Sequence, residues 1–379
     1  MNNQKRISLR FAAICFIANV SVFGMKLSRR HQYPSDCLKD MLSEARSQQK
    51  SIQMIGVHDA LSAQIFQQQH GLKILQQQQN SKSLSSSLPS LSPMALFVSG
   101  FGVSAARLGK PDMSILTRYE QEDTARNIIQ SVSSSSTFDP PPVIVDGDTG
   151  FGGTANVRET IRRMAAIKAA AITIEDQVFP KKCTYIAGSG INIVSRKDAT
   201  DRVKTALAAK QEAEEADGNR ISIIARTDCR MALGLDEAIE RCLAFQKLGA
   251  DIVYAENLQS KDEYLALRKA MSGGGDVRDL SSMATSDVAP MMLAQFQIGN
   301  DDQRLYSVDE VSSMGYEMIL YGVAGLQATV SALQSVAAEV FNDDCGGIVT
   351  STPLSSLDQI KDVVGFSDLD SFERKYGCT

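Results

Sequence analysis

The sequence predicts an α/β protein, a (β/α)8 TIM barrel with a C-terminal helical extension. Three observations carry that prediction. Eight short apolar runs recur along the chain, amphipathic stretches separate them, and polar residues cluster just past the ends of the runs. The length of 379 residues suits one large barrel with appendages. A doubly wound open sheet is the alternative. No GxGxxG follows the first run, which weighs against its dinucleotide-binding form.

From the N-terminus, residues 1–35 contain no Asp or Glu, and an apolar run at 11–25 is flanked by Lys5, Arg6, Arg10, Lys26, Arg29 and Arg30. The run is too short and too polar at Asn19 for a stable membrane span. It fits an organellar presequence, with mitochondria favoured, or a plastid or secretory signal; a poorly ordered extension is the plain alternative. The barrel is expected over 36–345, with strands at 52–57, 95–98, 142–146, 171–175, 221–226, 252–255, 291–294 and 318–321. Helical stretches are expected at 59–69, 157–168, 197–215, 235–248 and 260–271. A Gln- and Ser-rich insert at 76–93 reads as a surface loop entering the second strand, on the face away from catalysis. Residues 272–287 form a second soft stretch, and 346–379 the helical extension.

Composition excludes several functions. A net charge of −5 offers no basic surface for nucleic acid. The three His, at 31, 58 and 70, are confined to the first fifth of the chain, which argues against a His-rich metal site or a Ser-His-Asp triad. Seven Cys show no CxxC pair, so a zinc ribbon or disulfide framework is not expected. Chemistry is left to carboxylates, Cys, Lys, Arg, Tyr or an oxygen-held metal.

In a barrel, chemistry sits at the C-terminal ends of strands. Those ends carry Ser99-Gly100, Asp146-Gly147-Asp148, Glu175-Asp176, Arg226-Thr227-Asp228 and Glu256-Asn257. Acidic groups and one Arg on one rim suit a divalent cation and an anionic substrate. Asp146 and Asp148 would share a face in extended chain; an Asx-turn with Gly147 and Gly150 is the alternative. Arg226 can fork onto a carboxylate, or pair with Asp228 or Glu256. Cys183 follows Lys181 and Lys182 in the segment 177–194, where two ammonium groups would favour its thiolate; taken alone it reads more simply as a chance surface thiol. Cys229 and Cys242 read as core fillers.

Six blocks in order, GVHDALSA (56–63), FVSGFGVSAARLGKPD (97–112), VDGDTGFGG (145–153), IEDQVFPKKC (174–183), IIARTD (223–228) and GADIVYAE (249–256), resemble the isocitrate lyase / phosphoenolpyruvate mutase superfamily. The likeness runs from about residue 50 to 340 and is greatest to the branch with methylisocitrate lyases, dimethylmalate lyase and oxaloacetate hydrolases. The resemblance implies a barrel, a homotetramer with the last barrel helix exchanged between paired subunits, and Mg2+ (or Mn2+) on Asp146 and Asp148, with Asp112 and Glu175 acting through metal-bound water. It implies a substrate cradle of Ser99, Gly100, Phe101, Arg226 and Glu256 for a small dicarboxylate. Cys183, Arg226 and Glu175 are the implied catalytic groups, Cys183 protonating the product of C–C cleavage.

The chain departs from that pattern at Thr184-Tyr185, where Gly-His is usual, at Gln295, where the seventh strand lacks the usual Asn turn, and at Gln327, where methylisocitrate lyases carry Arg. Losing a charge-assisted carboxylate partner costs about 1.5–3 kcal/mol, which disfavours a tricarboxylate and favours a substituted malate or oxaloacetate. C–P chemistry on phosphonopyruvate, and a barrel that binds a metabolite without catalysis, are the competing expectations.

Overall fold

The eight apolar runs have no polar face, so they need cover on both sides, as the strands of a parallel barrel do. The computed structural model, which describes residues 32–83, 91–134, 138–184, 190–274, 288–297, 304–342 and 349–377, shows that arrangement. Strands β1 (Ile52–Val57), β2 (Met94–Val98), β3 (Val143–Asp146), β4 (Ala171–Ile174), β5 (Ser222–Thr227), β6 (Ile252–Ala255), β7 (Met291–Gln295) and β8 (Met318–Tyr321) pair in parallel, in sequence order. β1 closes on β8 with Gln53 opposite Ile319, so the open-sheet alternative is excluded. The targeting segment up to residue 31, most of the soft stretch (275–287), part of the insert (84–90) and Tyr185 lie outside the described residues.

Alternate strand residues fill the barrel's interior. Ile52 and Met54, Phe97, Ile144, Ile224, Ile252 and Tyr254, Met292, and Met318 and Leu320 belong to one buried cluster. Leu38, Leu42 and Ala45 join it from helix Pro34–Ser47, which packs across the N-terminal ends of the strands. Arg46 of that helix donates from Nε to Glu317 Oε1 at 2.8 Å, and Glu317 Oε2 accepts the Met291 N–H at 2.8 Å. Two further clusters lie between the strands and the outer helices, among them Thr154–Ala166, Arg196–Asp217, Leu235–Lys247 and Lys261–Met271. Helix Arg118–Ser133, unanticipated in the sequence, starts at a capping box in which Thr117 and Glu120 each hold the other's backbone N–H.

One expectation needs correcting. The helix after β1 does not stop near residue 69; it runs from Ala60 to Ser83 and takes in the first part of the insert. Gln is a good helix former, and no Pro occurs between Ala60 and Pro89. Low complexity alone does not make a loop, and a Gln-rich run extends an existing helix readily. Gln77 Oε1 accepts the Leu91 N–H at 3.1 Å, and the chain then enters β2 at Met94, on the face opposite Ser99. After β8 come helices Ala324–Val340, Leu357–Val364 and Phe366–Tyr376, none of which has a buried residue in the single chain.

Candidate active site

The strand period of two explains why the polar strand ends meet. Ser99 follows Phe97 by two, Asp146 follows Ile144, Arg226 follows Ile224 and Glu256 follows Tyr254, so each continues an inward-facing file. Together they form the last layer of the barrel interior and border a cavity of about 780 Å3. Phe101, Asp112, Lys181 and Cys183 also line it. Asp148 and Glu175 are buried just behind that surface, with Glu175 1% exposed.

Asp146 ends β3 and Gly147 must follow it, because a Cβ there would stand 2.3 Å from the Thr173 carbonyl oxygen. Asp148 then takes a left-handed φ of 47°, which Asp tolerates better than most residues. The two aspartates are therefore not on one extended face; the Asx-turn given as the alternative is formed, with the Asp148 N–H donating to Asp146 Oδ1 at 3.2 Å. A turn brings them together instead. A Cβ on Gly100 would lie 3.1 Å from Asp146 Oδ2 and 3.2 Å from Asp148 Oδ1, so both oxygens converge on that glycine. The Gly100 N–H donates to Asp146 Oδ2 at 3.3 Å, and Ser99 Oγ accepts the Gly102 N–H at 3.2 Å. Both cradle groups are thus engaged within the protein.

Lys181 was expected beside the thiol. It borders the same cavity as Cys183 and is buried among carboxylates, with Nζ 2.7 Å from Asp112 Oδ2 and 3.0 Å from Asp148 Oδ1. An ammonium removed from water needs such partners more than a thiol does. Burial opposes its charge, but Asp148, Asp112, Glu175 and Asp146 outweigh that and hold its pKa well above the usual value. Burial likewise opposes ionisation of Asp146, yet Lys181 and Arg226 hold it below the ordinary range. Asp148 is pushed up to about 7, by burial first and then by the charges of Asp146 and Asp112, against the pull of Lys181. Glu175 is raised well above its usual value by burial and by Asp228, and both its oxygens lack a hydrogen-bond partner.

Arg226 makes the internal pairs its sequence position allowed. It forks onto Asp228 from Nε (2.6 Å) and Nη2 (3.1 Å), lies 3.2 Å from Glu256 Oε2 and 3.5 Å from Glu175 Oε2, and still borders the cavity. These contacts use Nε and Nη2 only, which leaves the Nη1 edge outside them. Tyr254 donates its hydroxyl proton to Glu256 Oε2. Cys183 is 8% exposed, and its N–H donates to the Asp112 carbonyl at 3.1 Å. Cys229 and Cys242 are fully buried away from the cavity, in keeping with core filling.

The sequence reading missed Gln177, Phe296 and Leu305, all on the cavity wall. Phe296 had a signal, since it stands two past the inward Ala294. It fits against the end of β8 because residue 322 is Gly: a Cβ there would meet the ring at 2.6 Å. Leu305 had none. Gln327 borders the cavity and donates to the Gln297 carbonyl at 2.6 Å.

Fold and rim together define an enzyme of the (β/α)8 class, with its candidate site on the C-terminal ends of the strands. The chain belongs to the phosphoenolpyruvate phosphomutase family, whose profile matches residues 42–341, and so to the isocitrate lyase / PEP mutase superfamily of lyases and hydrolases that its motifs resemble. It is 29% identical over 282 residues to 2,3-dimethylmalate lyase of Eubacterium barkeri, covering 74% of this chain and 86% of that protein. It is 31% identical over 240 residues to 2-methylisocitrate lyase of Bacillus subtilis (strain 168), covering 63% and 68%. A solved structure of oxaloacetate acetylhydrolase with 3,3-difluorooxalacetate superposes with a TM-score of 0.72 at 26% identity, over 91% of this chain and 98% of that one.

Proposed function

We propose that the protein is a Mg2+-dependent lyase or hydrolase that breaks a C–C bond in a 2-hydroxy or 2-oxo dicarboxylate, with a substituted malate or oxaloacetate favoured. The observation that carries this is the meeting of Asp146, Arg226 and Cys183 on one cavity. The likeness to 2,3-dimethylmalate lyase and oxaloacetate acetylhydrolase supports it. Among the described residues the cavity wall carries its cations at Lys181, Lys182 and Arg226, and only amides at Gln297 and Gln327. A third carboxylate finds no cationic partner at those two positions, which argues against a tricarboxylate.

The donor set fits Mg2+. Asp146 and Asp148 turn oxygens toward the same glycine, and Glu175 keeps two buried oxygens without hydrogen bonds. Among the described residues no three His, Cys, Asp or Glu are arranged to hold a metal alone, and Mg2+ commonly takes one or two carboxylates and keeps its waters. In this reading Asp146 and Asp148 hold the ion, with Asp112 and Glu175 contacting its water. When bound, the ion supplies Lewis-acid stabilisation of negative charge on substrate oxygens. Arg226 holds a substrate carboxylate. For a 2-hydroxy substrate, the hydroxyl proton passes to the carboxylate cluster, where Glu175 has high proton affinity. The C2–C3 bond breaks as C2=O forms, and Cys183 Sγ delivers a proton to C3. A Mg2+ assay across oxaloacetate, 2,3-dimethylmalate, 2-methylisocitrate, isocitrate and phosphonopyruvate, with products identified by NMR, tests the proposal. Turnover of phosphonopyruvate alone would reject it.

Metal affinity should depend on pH with a defined sign. The raised Asp148 pKa means that the metal-free carboxyl is protonated below about pH 7, and the ion must displace that proton. The apparent Mg2+ affinity should fall about tenfold per pH unit below 7 and level off above it. Calorimetry from pH 5.5 to 8.5 reads this directly; a flat profile would contradict the assignment.

Two further proposals concern assembly and address. The apolar side chains exposed on helices Ala324–Val340, Leu357–Val364 and Phe366–Tyr376, such as Leu333, Leu357 and Phe372, support a homotetramer with the helix after β8 exchanged between subunits. A monomer by light scattering would refute it. The acid-free first 35 residues support delivery to an organelle, with mitochondria favoured. Diffuse cytosolic signal from a fluorescent protein carrying residues 1–35 would refute that.

A further inference from the structure

The thiol-bearing segment and the arginine come from different strands, and one buried side chain joins them. Gln177 is 1% exposed. Its Nε2 donates to Asp228 Oδ2 at 2.6 Å, and its Oε1 accepts the Lys182 N–H at 3.0 Å. Asp228 is the carboxylate onto which Arg226 forks, and Lys182 is the residue before Cys183. The amide therefore completes a chain from the Arg226 guanidinium through Asp228 and Gln177 to the backbone beside the thiol.

The backbone of Gln177 is fixed independently. It bridges Ile193 in antiparallel fashion, and the Val178 N–H donates to the Asn192 carbonyl at 2.7 Å. Arg202 Nη1 donates to the Gln177 carbonyl at 2.8 Å and also to the Glu175 carbonyl. Arg241 binds Asp176 Oδ2 at 2.9 Å and the Val194 carbonyl at 2.9 Å. With its main chain held this way, the Gln177 side chain is free to act as a fixed-length strut. It needs a donor at one end and an acceptor at the other, which only an amide of this length offers.

We propose that Gln177 is a positioning residue that sets the place of the Lys182–Cys183 backbone against the Arg226–Asp228 pair, so that a carboxylate held by Arg226 has its reacting carbon brought to the thiol. The inference rests on the proposed roles of Arg226 and Cys183. It assigns Gln177 no contact with the reacting atoms.

The test compares wild type with Gln177→Leu, which keeps the size and loses both hydrogen bonds, and with Gln177→Glu, which keeps the acceptor for Lys182 and loses the donor to Asp228. Three quantities are read with Mg2+ present: oxalate affinity by calorimetry, the rate of Cys183 alkylation by iodoacetamide with and without saturating oxalate, and kcat and KM on the substrate found active. Melting temperature and circular dichroism check the fold. The expected result is oxalate affinity and KM within about threefold of wild type in both variants. Bound oxalate should slow alkylation at least tenfold in wild type and less than twofold in Gln177→Leu, with kcat down about a hundredfold, within the range set by a displaced general acid. Gln177→Glu should show the same loss, since half the strut is not enough. Equal protection and equal kcat in all three proteins would overturn the role of Gln177 and leave Arg226 and Cys183 in place. Oxalate binding wild type without protecting Cys183 would overturn the site assignment, and the inference with it. Should Gln177→Leu fail to fold, Gln177→Glu carries the same comparison.

Discussion

Asp148→Ala is expected to abolish turnover and Mg2+ binding together. Its Oδ1 is one of two carboxylate oxygens converging beside Gly100, and Asp146 alone would leave a single carboxylate for the ion. The loss should not be a folding defect, because the native protein holds this carboxyl against its preference. Its pKa is raised to about 7 from an ordinary 3.8. A group whose folded pKa is raised contributes stability that is full below the unfolded value and is lost as pH rises through the folded one. Metal-free Asp148→Asn should therefore melt no lower than metal-free wild type at pH 8, with any advantage shrinking toward pH 5. Calorimetric melts at the two pH values in EDTA check the sign. Full wild-type activity in EDTA would defeat the metal assignment outright.

Cys183→Ser is expected to lose about 10²–10⁴-fold in kcat with little change in KM, since a general acid contributes that much and contributes it in the transition state. A hydroxyl is a far weaker acid than a thiol at nearly the same size. The structure adds detail to the test. Cys183 is nearly buried, it borders the cavity, and its N–H is tied to Asp112, so it should alkylate slowly and be shielded when the cavity is filled. C–P chemistry, or a barrel that only binds a metabolite, has no need of this thiol and should tolerate the serine. Wild-type turnover by the variant would remove the proposed lyase mechanism.

All eight strands were legible in the sequence, and the reason is physical. Strands buried on both faces are short, apolar and bounded by polar residues, so each run marks itself. The meeting of the candidate site residues was legible for a related reason: Asp146, Arg226 and Glu256 continue the inward period of their strands beyond the last apolar residue. What followed the strand ends was harder. The left-handed turn at Asp148 depends on a glycine pressed against the Thr173 carbonyl, a contact between strands that neither sequence segment displays. The place of Lys181 depends on Asp112, 69 residues away, and could not be separated from the Lys-Lys-Cys string in which it sits. The helix reaching Ser83 was hidden by composition, because a Gln-rich run reads alike whether it is helix or loop.

Helix Pro34–Ser47 has a consequence for how water takes part in the chemistry. With Leu38, Leu42 and Ala45 packed onto the interior side chains, apolar groups fill the barrel axis from the floor up to the layer of Ser99, Asp146, Arg226 and Glu256. A water molecule that is to attack the substrate would then come in by the opening of the cavity itself. Whether such a chain splits its substrate into two pieces or hydrolyses it is then decided by what the rim retains beside the ligand. Phe296, Leu305 and Thr184 line that part of the cavity, above the barrel core.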